Sequence, residues 1–349
     1  MTSNSLLEIA MASSCSSSPS WPIMKLPPRA KIEYDFPSKI KSVNTIMSFV
    51  TPDTKSPCTR RDASGSDGKL EGLKWDEREV MVRNGRNEPL TLDENGFQLV
   101  KDEDINEKIH FYDQKSVVDL YYPHCEKLLK SFLGNVIVYA FDHNVRTNSK
   151  DQKLENNAND ASIQTPIGVV HADYTHISAP KRLQQLAEPP KINDIHRQFL
   201  KEGETLLEPA HVQEVMDGKR RFVMVNVWRN ISRERPICER PLACMDASST
   251  SMDSLRTFSI YYPDRVGENY FCTHEKDQKW FYFPEMVHTE AILLKQWDSH
   301  GNNLDSQQNG QRLSTFAVHS SFMDPTTEND SPLRESIEVR CVVLYPQED

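Results

Sequence analysis

The chain has 349 residues, of which 26% are charged, and a formal net charge of −10. That length fits one large β-rich domain with extensions as well as two ordinary domains. The acidic balance argues against a dedicated nucleic-acid binder, whose phosphate contacts need clustered Lys and Arg, and no apolar run approaches the roughly 20 residues that span a bilayer.

In chain order, residues 1–43 are rich in Ser, Pro and Lys and read as a disordered extension. Residues 44–77 hold a short apolar stretch, Asn44 to Val50, expected as an edge strand, and then a polar linker. The main domain is expected over 78–349. Strands are expected at 78–82 and 97–100, each next to a turn signal, Asn84-Gly85 and Asn95-Gly96. Lys115 to Phe132 reads as a helix that Pro123 should kink. Asn135 to Phe141 is a strongly apolar strand, followed by a polar loop over 147–162. A strand over 167–173 comes next, and then helices at 180–186 and 193–206. Further strands are expected at 221–229, 257–262, 269–273, 279–283, 291–297, 316–322 and 334–345, with 269–273 and 279–283 as a pair. Many short strands with one or two helices predict a mainly β fold, an antiparallel sandwich or barrel with flanking helices.

Seven cysteines are scattered, with no Cys-x-x-Cys spacing. No basic segment leading into an apolar core stands at the start. Both features predict reduced thiols and an intracellular, cytoplasmic protein. No Gly-x-Ser-x-Gly, P-loop or Gly-x-Gly-x-x-Gly signature occurs.

The chemistry concentrates at Val170-His171-Ala172-Asp173. On an extended backbone His171 and Asp173 point to one face, about 7 Å apart along the strand. A second imidazole from elsewhere would complete a two-His, one-carboxylate face with open positions opposite, a set suited to non-haem Fe(II). His319, in Phe316 to Phe322, is the candidate, and His288 is its rival. Oxygen chemistry at such a centre calls for a sacrificial 2-oxo acid, whose far carboxylate needs a buried cation. Arg334 offers a planar two-pronged donor, and Ser336, on the same strand face, a hydroxyl. Arg340, six residues beyond Arg334, is the alternative anchor.

The ordered set His171-x-Asp173, His319, Arg334-x-Ser336 resembles the Fe(II)/2-oxoglutarate-dependent dioxygenases. More narrowly, residues from about 78 onward resemble a hydroxylase/desaturase family of microbial, mainly fungal, secondary metabolism. That family includes aspergillic-acid-type and cephamycin-type hydroxylases and a fungal gibberellin desaturase. Phe141-Asp142-His143-Asn144-Val145-Arg146, Asn226-Val227-Trp228-Arg229, Pro241-Leu242-Ala243-Cys244, Tyr262 to Glu268 and His319 through Arg340 carry the likeness. The resemblance implies a double-stranded β-helix (jelly-roll) core over roughly 165–349. It implies His171, Asp173 and His319 as iron ligands, Arg334 with Ser336 as the 2-oxoglutarate site, and Fe(II), 2-oxoglutarate and O2 as cofactor and co-substrates. A small-molecule substrate would be hydroxylated or desaturated. A non-catalytic jelly-roll binding protein and a zinc-dependent hydrolase are the competing readings; neither has a use for the Arg-x-Ser pattern.

Overall fold

The structure is a computed structural model and describes residues 40–62, 68–148, 164, 166, 168–304, 312–328 and 330–347. Residues 1–39 of the expected extension and most of the 147–162 loop lie outside those residues, while Ser42 and Val43, expected in the extension, begin β1. The first strands are β1 (Ser42–Val50), β2 (Cys58–Arg60), β3 (Trp75–Asn84), β4 (Phe97–Lys101) and β5 (Ile137–Thr147). The middle of the chain gives β6 (His171–Ala172), β7 (Arg220–Asn230), β8 (Leu242–Met245), β9 (Leu255–Tyr261) and β10 (Val266–Cys272). The last are β11 (Trp280–Tyr282), β12 (Glu290–Asp298), β13 (His319–Ser321) and β14 (Glu335–Gln347). The helices are α1 (Tyr122–Leu133), α2 (Ser178–Leu186) and α3 (Pro209–Met216).

Two sheets result. One runs β1-β3-β11-β8-β13-β6-β10-β9-β2, the other β4-β12-β7-β14-β5. From β5 onward the chain switches repeatedly between them. The central orders β12-β7-β14-β5 and β11-β8-β13-β6 are wholly antiparallel. This alternation is the jelly roll, with β9 and β10 inserted as a hairpin.

Side-chain alternation along β14 explains the layers. Ile337, Val339, Cys341 and Val343 face α1 and join Val223, Val225, Val227, Tyr122 and Leu129 in one core cluster. Val342 and Leu344 on the opposite face join Phe222 and Met224, packing on Leu183 and Val212 of α2 and α3. Further along that face Ser336, Glu338 and Arg340 turn toward the other sheet.

Several expectations change in detail. Residues 115–132 are helical, but Val117–Tyr121 form a π turn before α1, and Pro123 sits in the first turn of α1. The π turn makes room for it: Tyr122 N–H bonds the Val117 carbonyl five residues back, shifting the hydrogen-bond ladder where the proline has no N–H to give. The expected helix over 193–206 shrinks to a 3-10 turn, Ile195–Gln198, and α3 follows instead. Gly203 has φ +83°, and Pro209 supplies the preset φ that starts α3. The strands at 269–273 and 279–283 do not pair: β10 lies between β6 and β9, and β11 between β3 and β8. β1 is a sheet edge, as expected, yet it pairs with β3 over its full length, Ser42↔Arg83 to Val50↔Trp75. The linker between them carries β2, which also joins the sheet.

Candidate metal and co-substrate site

β6 is two residues long because Thr175 ends it. Its Oγ1 accepts the backbone N–H groups of Ile177 at 3.2 Å and Ser178 at 3.0 Å, turning the chain into α2. Asp173 therefore lies just beyond the strand rather than on it. β13 sets His319 directly across from His171 in antiparallel register, and the two rings lie 4.5 Å apart between centroids. One ligand atom from each of His171, Asp173 and His319 falls within 4.8 Å of the others, the one such group among the described residues.

The second nitrogen of each imidazole fixes its orientation. His171 Nδ1 is 2.7 Å from the Val169 carbonyl oxygen, and His319 Nδ1 is 3.2 Å from that of Ala317. A carbonyl only accepts, so each Nδ1 carries the proton and each Nε2 presents its lone pair. The Nε2 atoms lie 3.6 Å and 3.9 Å from Asp173 Oδ1. Burial, and then the neighbouring imidazole, lower His171 to about 4. Burial lowers His319 too, outweighing Asp173. Both rings are thus neutral at pH 7, the state a metal requires.

The other oxygen of Asp173 belongs to the protein. Asn226 Nδ2 donates to Oδ2 at 3.1 Å, and Arg340 Nε lies 3.4 Å from it. Burial alone would raise the Asp173 carboxyl. The charge of Arg340, with His319 and His171, outweighs burial and holds it well below the usual range. Arg340 is itself clamped: Nη1 donates to Asp142 at 2.8 Å and Nη2 to Glu338 at 3.0 Å. A register shift makes this possible. β14 pairs Arg340 with Asp142 but Cys341 with Ala140, so β5 carries Phe141 as an extra residue. The bulge turns Asp142 toward Arg340 while Phe141 stays in the core. A second shift, in β12 between Lys295 and Trp297, frees Gln296. Its Oε1 accepts the Asp173 backbone N–H at 3.3 Å.

His171, Asp173, His319, Leu242 and Ser321 line a pocket with Arg146, Trp228, Arg334 and Glu338 of the facing sheet. Arg334 is 3% exposed and lies over the Trp228 ring, 5.6 Å from its centroid. Its Nη1 donates to the Arg240 carbonyl at 2.6 Å, whereas its Nε has no protein partner. Ser336 is fully buried, and its Oγ has no protein partner either. Unfilled donors at that depth are costly unless a ligand fills them.

The structure thus brings His171, Asp173, His319 and Arg334 to one pocket, with Ser336 buried two residues after Arg334, and gives the two rivals other tasks. His288 lies elsewhere: its Nδ1 is 3.1 Å from the Asn230 carbonyl oxygen and its ring packs edge-on against Phe111. Arg340 is spent on three carboxylates. Asn226 and Gln296 were missed as supports of Asp173. Asn226 is a polar residue between Val225 and Val227, a signal that was there to read, whereas Gln296 stands beside Lys295 and gave none.

A family profile described as "Oxidoreductase/YMDC permease-like domain" matches residues 47–344. The chain belongs to that family. Among the described residues of this family member, no helix is long and apolar enough to cross a membrane. A Methylophilus leisingeri protein, described as an uncharacterized protein in the dcmA 3' region, is 38% identical over 173 residues, 50% of this chain and 80% of that protein. The hydroxylase/desaturase efuI of Hormonema carpetanum is 27% identical over 79% of this chain and 87% of its own. The alpha-ketoglutarate-dependent dioxygenase phiK of a fungal species is 25% identical over 87% of this chain and 96% of its own. The resemblance to hydroxylases and desaturases of fungal secondary metabolism is therefore borne out. Among solved structures, the iron and alpha-ketoglutarate-dependent endoperoxidase NvfI superposes with a TM-score of 0.66 at 21% identity, covering 88% of this chain and 99% of that one. That likeness supports the jelly-roll fold.

Proposed function

We propose that this chain is an Fe(II)- and 2-oxoglutarate-dependent oxygenase that hydroxylates or desaturates a small secondary metabolite. One observation carries the reading: three ligand atoms converge in the same pocket as a buried guanidinium with an unfilled hydrogen-bonding position. Two neutral imidazoles and a carboxylate oxygen suit Fe(II) with further positions open. The unfilled Arg334 Nε and Ser336 Oγ suit the far carboxylate of a dicarboxylic 2-oxo acid. The printed names of efuI and phiK support the same class.

In this reading His171, Asp173 and His319 hold iron, Arg334 anchors 2-oxoglutarate, and Ser336 adds a hydroxyl. Bound iron and 2-oxoglutarate would supply the activation of O2 needed to attack an unreactive C–H bond. The chain's own residues hold, orient and seclude. Val169 and Ala317 fix the two imidazole tautomers; Asn226, Arg340 and Gln296 fix Asp173; Trp228 and Leu242 wall the pocket with apolar surface. A reducing intracellular compartment fits this chemistry, because it keeps iron ferrous and the described cysteines are all unpaired.

The test is succinate formation by the purified protein, reconstituted anaerobically with Fe(II) and then given 2-oxoglutarate and O2. Iron-dependent succinate that disappears in His171→Ala supports the proposal. Absence of succinate, together with no 2-oxoglutarate-dependent absorption band on adding Fe(II), overturns it.

A further inference from the structure

The floor of the pocket is the inner face of the five-stranded sheet, and its register orders the side chains into rows. Arg340 lies between Asn226 on one side and Asp142 on the other; Glu338 between Trp228 and Asn144; Ser336 between Asn230 and Arg146. The first row meets the metal-ligating carboxylate. The third sets Arg146 of β5 across from Ser336, with Arg334, the residue that leads into β14, two residues before Ser336. Arg146 and Arg334 line the same pocket, one from β5 and the other from the residue just before β14.

Two guanidiniums so placed repel. Burial lowers Arg334 to about 9, and Arg146 is the strongest charge acting in the same direction. Glu338 offsets part of this at Arg146, but one of its oxygens already accepts from Arg340. Glu239 and Glu338 oppose that effect at Arg334, and the unfilled Arg334 Nε and Ser336 Oγ mark where an anionic group of a ligand fits.

The geometry points to Arg146 as a second anchor, with Arg334 and Ser336, for the distal carboxylate of a dicarboxylic 2-oxo acid. The inference rests on the oxygenase reading and deepens it. A two-guanidinium clamp selects a dicarboxylate over a monocarboxylic 2-oxo acid. A single anchor gives a weaker choice, because only one charge is left uncompensated when the second carboxylate is missing.

The test is calorimetric titration of Mn(II)-loaded protein under anaerobic conditions. 2-Oxoglutarate is compared with 2-oxobutyrate, which keeps the keto-acid end and lacks the distal carboxylate. R146Q is expected to bind 2-oxoglutarate at least about tenfold more weakly and 2-oxobutyrate within about twofold of wild type, with R146K in between. Unchanged 2-oxoglutarate binding in R146Q overturns the inference. So does an equal loss for both ligands, the mark of a structural role. If R146Q does not fold, R146K carries the same comparison. R334Q separates the two failures. A wild type sensitive to R334Q but not to R146Q removes only the second anchor, whereas a wild type that binds neither 2-oxo acid removes the oxygenase reading with it.

Discussion

Arg334, just before β14, and Arg340, on it, stand six residues apart, and their surroundings give them opposite tasks. Arg340 is saturated by Asp142, Glu338 and Asp173, so it has nothing left for a ligand. Arg334 keeps an unfilled donor inside the pocket. Replacing Arg334 by Gln should raise the KM for 2-oxoglutarate by about 10- to 100-fold, the worth of one charge-assisted hydrogen bond, with a smaller change in kcat. Arg340→Met should instead loosen Asp173 and weaken metal binding by about 10- to 100-fold, read as metal content after dialysis. A matching rise in the KM for 2-oxoglutarate in both variants would reject this division of labour. The convergence of His171, Asp173, His319 and Arg334 was legible because their order and spacing suit one chemistry. Which of the two arginines keeps a free donor was not, since a period-2 pattern gives them the same face and only the Phe141 bulge decides where Asp142 goes. His143 shows the same dependence on surroundings. Its Nδ1 lies 2.9 Å from the Tyr122 hydroxyl, and burial, followed by the opposed charges of Asp142, Arg340 and His196, lowers it to about 4. The folded state favours the neutral ring. The stabilisation, roughly 3 kcal/mol at most, is therefore complete above pH 6.5 and is lost as pH falls toward 4, where the unfolded chain takes up a proton first. Urea unfolding between pH 7 and pH 4 should show a shallower loss in His143→Gln than in wild type.

At the scale of elements, β7 shows how one strand serves two layers. Trp228 faces the pocket and Arg229, next along, faces the helices. Arg229 is fully buried; Nε donates to the Tyr121 hydroxyl at 2.8 Å, Nη1 to the His288 carbonyl at 3.0 Å, and Nη2 to Asp102. His124 Nε2 of α1 lies 2.7 Å from the same Asp102 carboxylate. The cluster ties β7 to the loop after β4, to the π turn and to α1, so the strand that carries Asn226 and Trp228 is held from behind. Arg229→Met would leave Asp102 buried without its strongest partner and should cost about 3–5 kcal/mol. Equilibrium denaturation of the metal-free protein measures this, and a loss below about 1 kcal/mol would mean that α1 docks by apolar packing alone. The chain gave notice of β7 and of the helix, but not of this joint. Asp102 stands in a run of acids, Asp102-Glu103-Asp104, that reads as a solvated face. The other two are exposed, and only the tertiary fold singles out Asp102.

For the molecule as a whole, the alternation of polar and apolar residues made the β class and the order of most strands legible. What it could not supply was partnership, because pairing between strands distant in sequence leaves no local trace. β10 and β11 look like a hairpin and join different neighbours, and β11 runs parallel to β3, nearly 200 residues away. The same blindness set the start of the main domain at residue 78, which falls within β3. Residues from 40 onward belong to the compact unit Ser38–Asp349. β1 buries Val43, Met47, Phe49 and Val50, and three of these join the core cluster that holds Val170, Ala172, Tyr270 and Phe316. The contact extends to the candidate site: Val170 N–H donates to the Ser48 carbonyl at 3.0 Å, one residue before His171. Deleting residues 40–77 would strip four large apolar side chains from the core, at about 1.5–3 kcal/mol each, and expose the edge of β3 and the strand leading to His171. The loss is comparable with the whole stability of an ordinary domain. The truncated chain is expected to show no cooperative melting transition and to accumulate in the insoluble fraction. A soluble product that melts cooperatively and binds metal would place the working fold entirely beyond residue 77 and reduce β1 to an ornament of the sheet.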